Sequence, residues 1–363
     1  TGTRNWWGCN AGPGSAPCDR SANTSGTLTT TPHLVLRHSA APNTIVVGQT
    51  SSLTADFLTD SAAGAVAVAD LDALIGTTHV INNPVRGSLS AVQTTIQATG
   101  TATATFTATT PGAGSADSVV DAHTQTAPIT INQASTTTTI TAHTPDPSPI
   151  NTAVTVNYTV TVNAPGAGTP TGNVTVSDGV NNCTGTVAVG SCTLTLTTVG
   201  ARTLTATYAG DANYNGSSGT GVAHTVNKAN TTTTITAHTP NPSATGQAVA
   251  INFTVAASAP GVGTPTGNVT VSNGASNCTA TVAVGTCSLT FTTLGDLPLT
   301  ATYSGDNNFN GSTATAVLHT VTAPPTPTPA PPTPTPAPLP PAYPVVVWGY
   351  NAPGASTMPA GLQ

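Results

Sequence analysis

Most of this chain alternates apolar and polar residues with a period of two. In Ala153–Asn163 valine and tyrosine fall on one face, while threonine and asparagine occupy the other. Arg202–Tyr208 follows the same pattern. A period of two predicts β-strands with one buried and one wetted face, which is typical of antiparallel sheets. We find no segment with the periodicity of an amphipathic helix, so the predicted fold class is all-β.

Part of the alternating pattern occurs as two tandem repeats. Thr136–Pro145 and Thr231–Pro240 both read TTTTITAHTP, and the offset of 231 − 136 = 95 residues holds without insertion or deletion to Val321. The strands predicted in the first repeat are Thr136–Ala142, Ala153–Asn163, Gly172–Ser177, Cys183–Val187, Cys192–Thr198, Arg202–Tyr208 and Gly221–Asn227. Short strands at this density, about seven in each repeat, predict an immunoglobulin-like (Ig-like) β-sandwich.

The rest of the chain is predicted to contain one more sandwich, and the two terminal segments differ from the sandwiches in composition. Val46–Phe57 and Thr101–Thr110 also alternate, which predicts a first β-domain. Ala323–Pro344 is so rich in proline that it favours an extended spacer over strands or helices. We therefore predict tandem Ig-like β-sandwiches joined end to end, with a C-terminal proline-rich tail. The predicted parts are 1–31, a disulfide-stapled segment; 32–134, 135–228 and 229–322, three Ig-like domains; 323–344, a Pro/Thr-rich linker; and 345–363, a short apolar tail and candidate docking strand.

Two segments of each repeat carry a family resemblance. One is TPTGNVTVSDG in the first repeat, and the other is the closing YxGDxNYxGS pattern of Tyr208–Ser217, echoed at Tyr303–Ser312. Both repeats resemble, end to end, the bacterial Ig-like repeats of secreted or cell-surface proteins. The first domain is similar in its order of VGQ, an alternating strand, a variable middle and GTATATFTATTPG. The resemblance implies β-sandwiches in a surface or secreted protein.

The start of the chain has a separate resemblance. NWWG at Asn5–Gly8, followed by CNAGPG, resembles the final coil of secreted right-handed parallel β-helix proteins. This resemblance implies that the chain is the C-terminal product of a longer precursor. Because Thr1 is not an initiator methionine and no leader follows it, we expect a mature or trimmed form.

The chain has few charged residues, and this limits the kinds of partner that it can bind. Only 5% of residues are charged, there is no glutamate, and Lys228 is the one lysine, for a net charge of −6. Phosphate binding needs clustered lysine and arginine, so we expect no nucleic-acid partner. The apolar runs are much shorter than the roughly 20 residues of a membrane-spanning helix, so we expect no membrane span.

Six cysteines form three pairs with the same spacing. They are Cys9 and Cys18, Cys183 and Cys192, and Cys278 and Cys287. Close pairs without a CxxC motif predict disulfides and an oxidising, extracytoplasmic setting. Zinc is the alternative: the histidines lack its usual spacing, although tertiary structure can gather distant residues. A tight turn near 188–190 predicts that the second pair lies across a hairpin.

The loops with the sequences GDANYNG and GDNNFNG match the front half of a calcium loop. The candidate ligands are Asp211, Asn213, Asn215, Asp306, Asn308 and Asn310. Their twelfth positions are Val222 and Val317, where a calcium loop needs a bidentate glutamate. We therefore favour a turn between strands and predict neither a metal nor a cofactor.

Catalytic motifs are missing from the sequence. It contains no G-x-S-x-G, no H-E-x-x-H and no phosphate-binding loop, so we predict that the protein is not an enzyme. His143 and His224, with their copies His238 and His319, are interpreted as surface or interstrand residues.

The predicted function is that of a non-catalytic extracellular structural protein, secreted or at the cell surface. Tandem repeats lengthen a protein, which favours a stalk or a filament subunit. We predict that such a subunit self-associates through its ends by strand addition. The candidate subunit contacts are Trp6, Trp7, Val345, Val346, Val347, Trp348 and Tyr350. The alternative is an adhesin or carbohydrate-binding stalk of a larger β-helix protein with a host, cell-surface or glycan ligand, although only 4% of residues are aromatic.

Overall fold

The computed structural model describes Trp6, Asn10, residues 32–326 and Ala337. Within that part the chain is all-β, as predicted: three β-sandwiches follow one another, and the only helical element is a short 3₁₀ helix, Val68–Leu71. Several sequence-predicted contacts lie outside the described residues. They are Trp7, Cys9, Cys18, Val345, Val346, Val347, Trp348 and Tyr350.

The first sandwich contains eight strands in two four-stranded sheets. The strands are β1 (Arg37–Ala41), β2 (Thr44–Val46), β3 (Thr50–Asp56), β4 (Val80–Val85), β5 (Gly87–Ser90), β6 (Thr101–Ala108), β7 (Gly112–Val120) and β8 (His123–Asn132). One sheet has the order β1-β3-β6-β5 and the other β2-β8-β7-β4. Two separate clusters of buried side chains fill it: one includes Leu53 and Phe106, and the other includes Phe57, Leu71 and Ile96.

The second sandwich contains every strand predicted in the first repeat, together with two short additions. Its strands are β9 (Thr136–Thr144), β10 (Ser148–Pro149), β11 (Ala153–Val162), β12 (Asn173–Ser177), β13 (Asn182–Thr186), β14 (Ser191–Thr195), β15 (Gly200–Tyr208), β16 (Ser217–Ser218) and β17 (Val222–Asn227). A six-stranded sheet has the path β10-β17-β15-β12-β13, with β16 on β15, and faces a three-stranded sheet, β14-β11-β9.

The third sandwich repeats this arrangement. Its strands are β18 (Thr231–Thr239), β19 (Ser243–Ala244), β20 (Ala248–Ala257), β21 (Asn268–Ser272), β22 (Asn277–Thr281), β23 (Thr286–Thr290), β24 (Gly295–Tyr303), β25 (Ser312–Thr313) and β26 (Val317–Thr322). The sheets are β19-β26-β24-β21-β22, with β25 on β24, and β18-β20-β23. Equal sequence spacing has therefore produced equal topology.

Alternation along the strands builds the core between the sheets. On β11, Val154 and Val156 are fully buried and Tyr158 is 3% exposed, while Thr155 and Asn157 between them face solvent. Each buried aliphatic side chain contributes roughly 1.5–3 kcal/mol relative to an exposed one. A single-residue slip of register would turn this face to water, so burial fixes the register.

The predicted hairpin between Cys183 and Cys192 is wrong. Strand β13 pairs with β12, whereas β14 pairs with β11, so the two cysteines belong to opposite sheets. The turn between them carries the chain from one sheet to the other. A period-two pattern identifies both strands but contains no information about which neighbour each strand pairs with.

Candidate functional site

The junctions between sandwiches are built from backbone groups. The linker residue Ala134 donates its N–H to the Asn213 carbonyl (3.0 Å), and its own carbonyl accepts from the Asn215 N–H (2.9 Å). Ala229 makes the same pair of bonds to Asn308 (2.9 Å) and Asn310 (2.8 Å). Both alanines are buried. Each linker is therefore bound like a short strand along a loop of the sandwich that it enters.

One aspartate shapes each of these loops. Oδ1 of Asp211 accepts from the N–H groups of Asn213 (2.8 Å) and Tyr214 (2.9 Å), and Oδ2 accepts from the N–H and hydroxyl of Thr171 (both 2.8 Å). These donors lower the pKa of Asp211 against the opposing effect of burial. The carboxylate thus faces N–H and O–H donors, and the arrangement is a turn that presents its backbone to the linker.

The copy of this loop in the third sandwich is built in the same way. Asp306 accepts two bonds from Thr266 (2.8 and 2.7 Å) and one each from Asn308 and Phe309 (both 2.8 Å). Although burial opposes it, the sum of these bonds lowers the pKa of Asp306 to about 2. Burial and the negative charge of Asp306 raise the pKa of nearby Tyr303 to about 12, so this core phenol stays neutral.

A second junction contact comes from a turn at the end of each sandwich. Val47 accepts a hydrogen bond from the Ala167 N–H (3.2 Å), and the adjacent Gly48 has a φ of 82°. A Cβ on Gly48 would lie 2.4 Å from backbone atoms of Ala167, so only glycine fits here. The equivalent turn of the second sandwich places Asn151 with its Nδ2 3.2 Å from the Val262 carbonyl. The two junctions thus use matching surfaces.

A cleft of about 540 Å³ lies beside the junction of the second and third sandwiches. It is lined by prolines, glycines and small or polar side chains, with Lys228 at its side. No aromatic side chain is among its lining residues. Since sugar sites rely on aromatic stacking, this cleft does not favour the carbohydrate-binding alternative.

Disulfides join the two sheets along one edge of each repeat. Cys183 and Cys192 are bonded with their Cα atoms 5.8 Å apart, and Cys278 and Cys287 with theirs 5.9 Å apart. Strands β13 and β14 are the edge strands of their sheets on this side. Each bond therefore closes an edge of the sandwich covalently.

Histidines occupy the opposite edge, where β9 faces β10 and β17. His143 Nδ1 lies 3.1 Å from His224 Nδ1, and Asp146 lies beside both rings. His224 is buried, and its Nε2 is 2.9 Å from the hydroxyl of the buried Ser148. Both histidines could be singled out from the sequence, but neither their contact nor a role for Asp146 could be predicted from it. The feature of the sequence that could have pointed to this contact is the recurrence of His143 and His224 as His238 and His319.

Trp6 packs against the first sandwich of its own chain. Its Nε1 donates to Asp121 Oδ2 (2.9 Å), and its ring meets Phe57 edge to face with centroids 4.8 Å apart. Asn10 also reaches this sandwich through hydrogen bonds with Leu36 (2.8 and 2.7 Å). A role of Trp6 in subunit contacts stays a prediction.

Among the described residues, no helix is long and apolar enough to cross a membrane.

Two regions of the chain match a known family. Residues 140–227 and 235–322 each match the model of the bacterial Ig-like domain (group 3). The resemblance of the two repeats is therefore confirmed, and both repeats belong to the bacterial Ig-like domains. A search of curated proteins finds no match to the chain.

Solved structures of adhesion proteins align with the chain at low similarity. The Yersinia pseudotuberculosis adhesin InvE is 22% identical over 56% of this chain, with a TM-score of 0.33, and the chain spans 66% of that structure. The Escherichia coli adhesin FdeC is 15% identical (79% of this chain, 97% of that one, TM-score 0.24). A tetra-tandem repeat from a large adhesion protein is 19% identical (76% and 82%, TM-score 0.32). These values are too low to support an inference about function.

Proposed function

We propose that this protein is a non-catalytic extracellular structural protein whose tandem bacterial Ig-like domains form a stalk or the body of a filament subunit. The observation that carries the proposal is the repeated junction. At both joins the linker alanine lies along the loop shaped by Asp211 or Asp306, and a turn of the preceding sandwich meets the next one. Domains joined in this way hold their orientation, which a spacer requires.

Chemical features of the chain support an extracellular, non-catalytic role. The two disulfides fit an oxidising compartment. Asp211 and Asp306, in the loops that resemble part of a calcium site, accept hydrogen bonds from backbone and threonine donors that maintain the turn. A chain with 5% charged residues and a surface rich in threonine offers few groups for acid–base catalysis.

The junction is tested by a matched pair of glycine variants. Gly48 and Gly246 occupy equivalent turns and have φ values of 82° and 79°. A Cβ at Gly48 would collide with Ala167, whereas a Cβ at Gly246 meets no described atom within 4 Å. Both variants to alanine suffer the same backbone strain, so a difference between them reports the junction.

Spin labels on the first and second sandwiches of the full chain supply the measurement. We expect one narrow distance distribution for the wild type and for G246A, and a broader or shifted distribution for G48A. Equally broad distributions in all three proteins would mean that the sandwiches are not held by their junctions, and the stalk proposal would be abandoned.

Assembly into a filament is the finer part of the proposal. We propose that the chain self-associates and that the tail 345–363, with Val345–Tyr350 as the docking strand, joins one subunit to the next by strand addition. Electron microscopy of the full chain and of a variant lacking 345–363 tests it. Filaments in the full chain alone are expected. Filaments in both, or in neither, would refute tail-dependent assembly, and the junction measurement would then decide whether a stalk remains.

A further inference from the structure

Three side chains converge on one point at the histidine edge of the second sandwich. His143 is close to the end of β9, Asp146 lies in the turn that follows, and His224 is on β17. These elements belong to two sheets, and the histidines are 81 residues apart in the sequence. We propose that His143, Asp146 and His224 form a binding site for a divalent transition-metal ion of the zinc type.

The distances match the edges of a metal coordination sphere. The two Nδ1 atoms are 3.1 Å apart, His224 Nδ1 is 3.3 Å from Asp146 Oδ1, and His143 Nδ1 is 3.9 Å from Asp146 Oδ2. Ligand atoms at about 2.1 Å from a tetrahedral zinc are roughly 3.4 Å from one another. Two imidazoles and a carboxylate are also a donor set that zinc accepts, with the fourth position left to solvent.

The surroundings of His224 prepare it as a ligand. Its Nε2 is 2.9 Å from Ser148 Oγ, and a proton on Nε2 that is donated to this hydroxyl leaves the Nδ1 lone pair directed at His143 and Asp146. An outer hydrogen bond on the second ring nitrogen is the usual companion of a metal-bound histidine.

The third sandwich contains the same arrangement with one ligand changed. His238 Nδ1 lies 3.0 Å from His319 Nδ1, and Ser243 Oγ lies 2.9 Å from His319 Nε2. The residue equivalent to Asp146 is Asn241, at the offset of 95 residues. An amide lacks the negative charge of a carboxylate and ligates a transition metal poorly. The chain therefore holds the proposed site and a near-copy without the anionic ligand.

The exchange of aspartate for asparagine leaves the local fold intact. Asp146 Oδ1 accepts a hydrogen bond from the Thr225 N–H (3.1 Å), and Asn241 Oδ1 accepts the same bond from the Thr320 N–H (3.0 Å). Asp146→Asn and Asn241→Asp are therefore both exchanges for which the chain itself supplies a folded precedent. They alter the ligand and preserve the turn.

Bound metal would complete the closure of the sandwich. The disulfide Cys183–Cys192 joins the sheets at the β13/β14 edge, and an ion held by His143 and His224 would join them at the β9/β17 edge. A ligand that binds only the folded state stabilises it, so the second sandwich gains stability with zinc while the third does not.

Zinc chloride titrated calorimetrically into the full-length protein tests the site. We expect one site in the wild type, a loss of affinity of more than about 10-fold in D146N, and two sites in N241D. With Co²⁺ in place of zinc, the visible absorption of tetrahedral cobalt should follow the same order. Hydrogen exchange should show that zinc protects the amides of β9 and β17 in the wild type and leaves those of β18 and β26 unchanged.

Several results would overturn the assignment. Absence of zinc binding by the wild type would do so, and so would equal affinity in the wild type and D146N, because metal would then lie elsewhere. A single site in N241D would show that the carboxylate does not determine whether the metal ion binds. Calcium chloride, which prefers more oxygen ligands, serves as the matched control and should bind none of the three proteins at this edge.

Discussion

The second and third sandwiches have the same strands, disulfide and histidine pair, but they differ in charge. Where the second has Asp146 and Asp178, the third has Asn241 and Asn273 at the offset of 95 residues. Both asparagines keep the backbone hydrogen bonds of the aspartates that they match. The backbone contacts are thus common to both repeats, whereas the carboxylates that face His224 and Arg202 are present only in the second.

Asp211 and Asp306 show the opposite behaviour. Both repeats retain aspartate at this loop, and in each case two oxygens accept four hydrogen bonds. An asparagine would present an NH₂ group to two of those donors. Aspartate is therefore retained where both oxygens are needed, and its charge alone is dispensable for the fold.

Removal of one disulfide should have the largest effect. Cys183→Ala with Cys192→Ala should lower the free energy of unfolding of the second sandwich by about 2–3 kcal/mol, because a short closed loop no longer restricts the unfolded chain. Hydrogen exchange followed separately in the second and third sandwiches measures the loss. The third sandwich, with Cys278–Cys287 intact, is the internal control; equal loss in both would show that the sandwiches unfold as one unit.

Asp306→Asn tests the loop that both repeats share. We expect a loss of about 2 kcal/mol, since two donors lose their acceptor. The folded-state pKa of Asp306 is about 2, below its ordinary value of 3.8. A lowered pKa stabilises the fold above pH 3.8, and this contribution is lost as the pH falls towards 2. Urea unfolding between pH 5 and 2 should therefore show a weaker acid dependence in the variant than in the wild type.

Asp178→Asn should have a smaller effect. Arg202 Nε donates to Asp178 Oδ2 (2.9 Å), and the side chain of Asp178 is fully buried. The variant keeps the backbone bonds but leaves Arg202 without its partner, at a cost of about 1.5 kcal/mol. Adding Arg202→Leu recreates the pair Asn273 and Leu297 of the third sandwich and should recover much of the loss. A double variant that is less stable than the single one would contradict this reasoning.

Tyr158→Phe should have the smallest effect. The hydroxyl of Tyr158 donates towards the carbonyls of Thr186 (3.2 Å) and Ser191 (3.3 Å), and the third sandwich has Phe253 at this place. We expect a loss of about 0.5–1 kcal/mol. The reverse change, Phe253→Tyr, should destabilise the third sandwich, because Ala280 stands there in place of Gly185 and a Cβ at Gly185 would lie 2.5 Å from the Tyr158 hydroxyl. Equal or greater stability of Phe253→Tyr would contradict this reasoning.

The prediction of strands from this sequence was successful because apolar residues alternate with threonine and other polar residues along the longer strands. Each strand predicted in the first repeat is found within a few residues of its expected ends. The two-residue strands β10 and β16 were missed, since two residues cannot show a period. Pairing was wrong at the Cys183–Cys192 turn, because a local pattern does not tell a hairpin from a crossing between sheets.

The candidate sites divide in the same way. The cysteine spacing and the turn at Asp211 are short-range features, and local chemistry is enough to predict them. The contact of His143 with His224 spans 81 residues, and the junction contact of Asn151 with Val262 spans 111. Neither has a sequence pattern, because both depend on how sheets and domains stack.

Alternation, exact repetition and close cysteine pairs were enough to establish three β-sandwiches, two of them duplicates with a disulfide each. These features depend on neighbours along the chain, where side-chain direction follows directly from residue number. The facing of β9 and β17, and the docking of Ala134 on the Asn213–Asn215 loop, were decided only by tertiary structure. They depend on which buried faces pack together, a choice made by the whole core and not by any single strand.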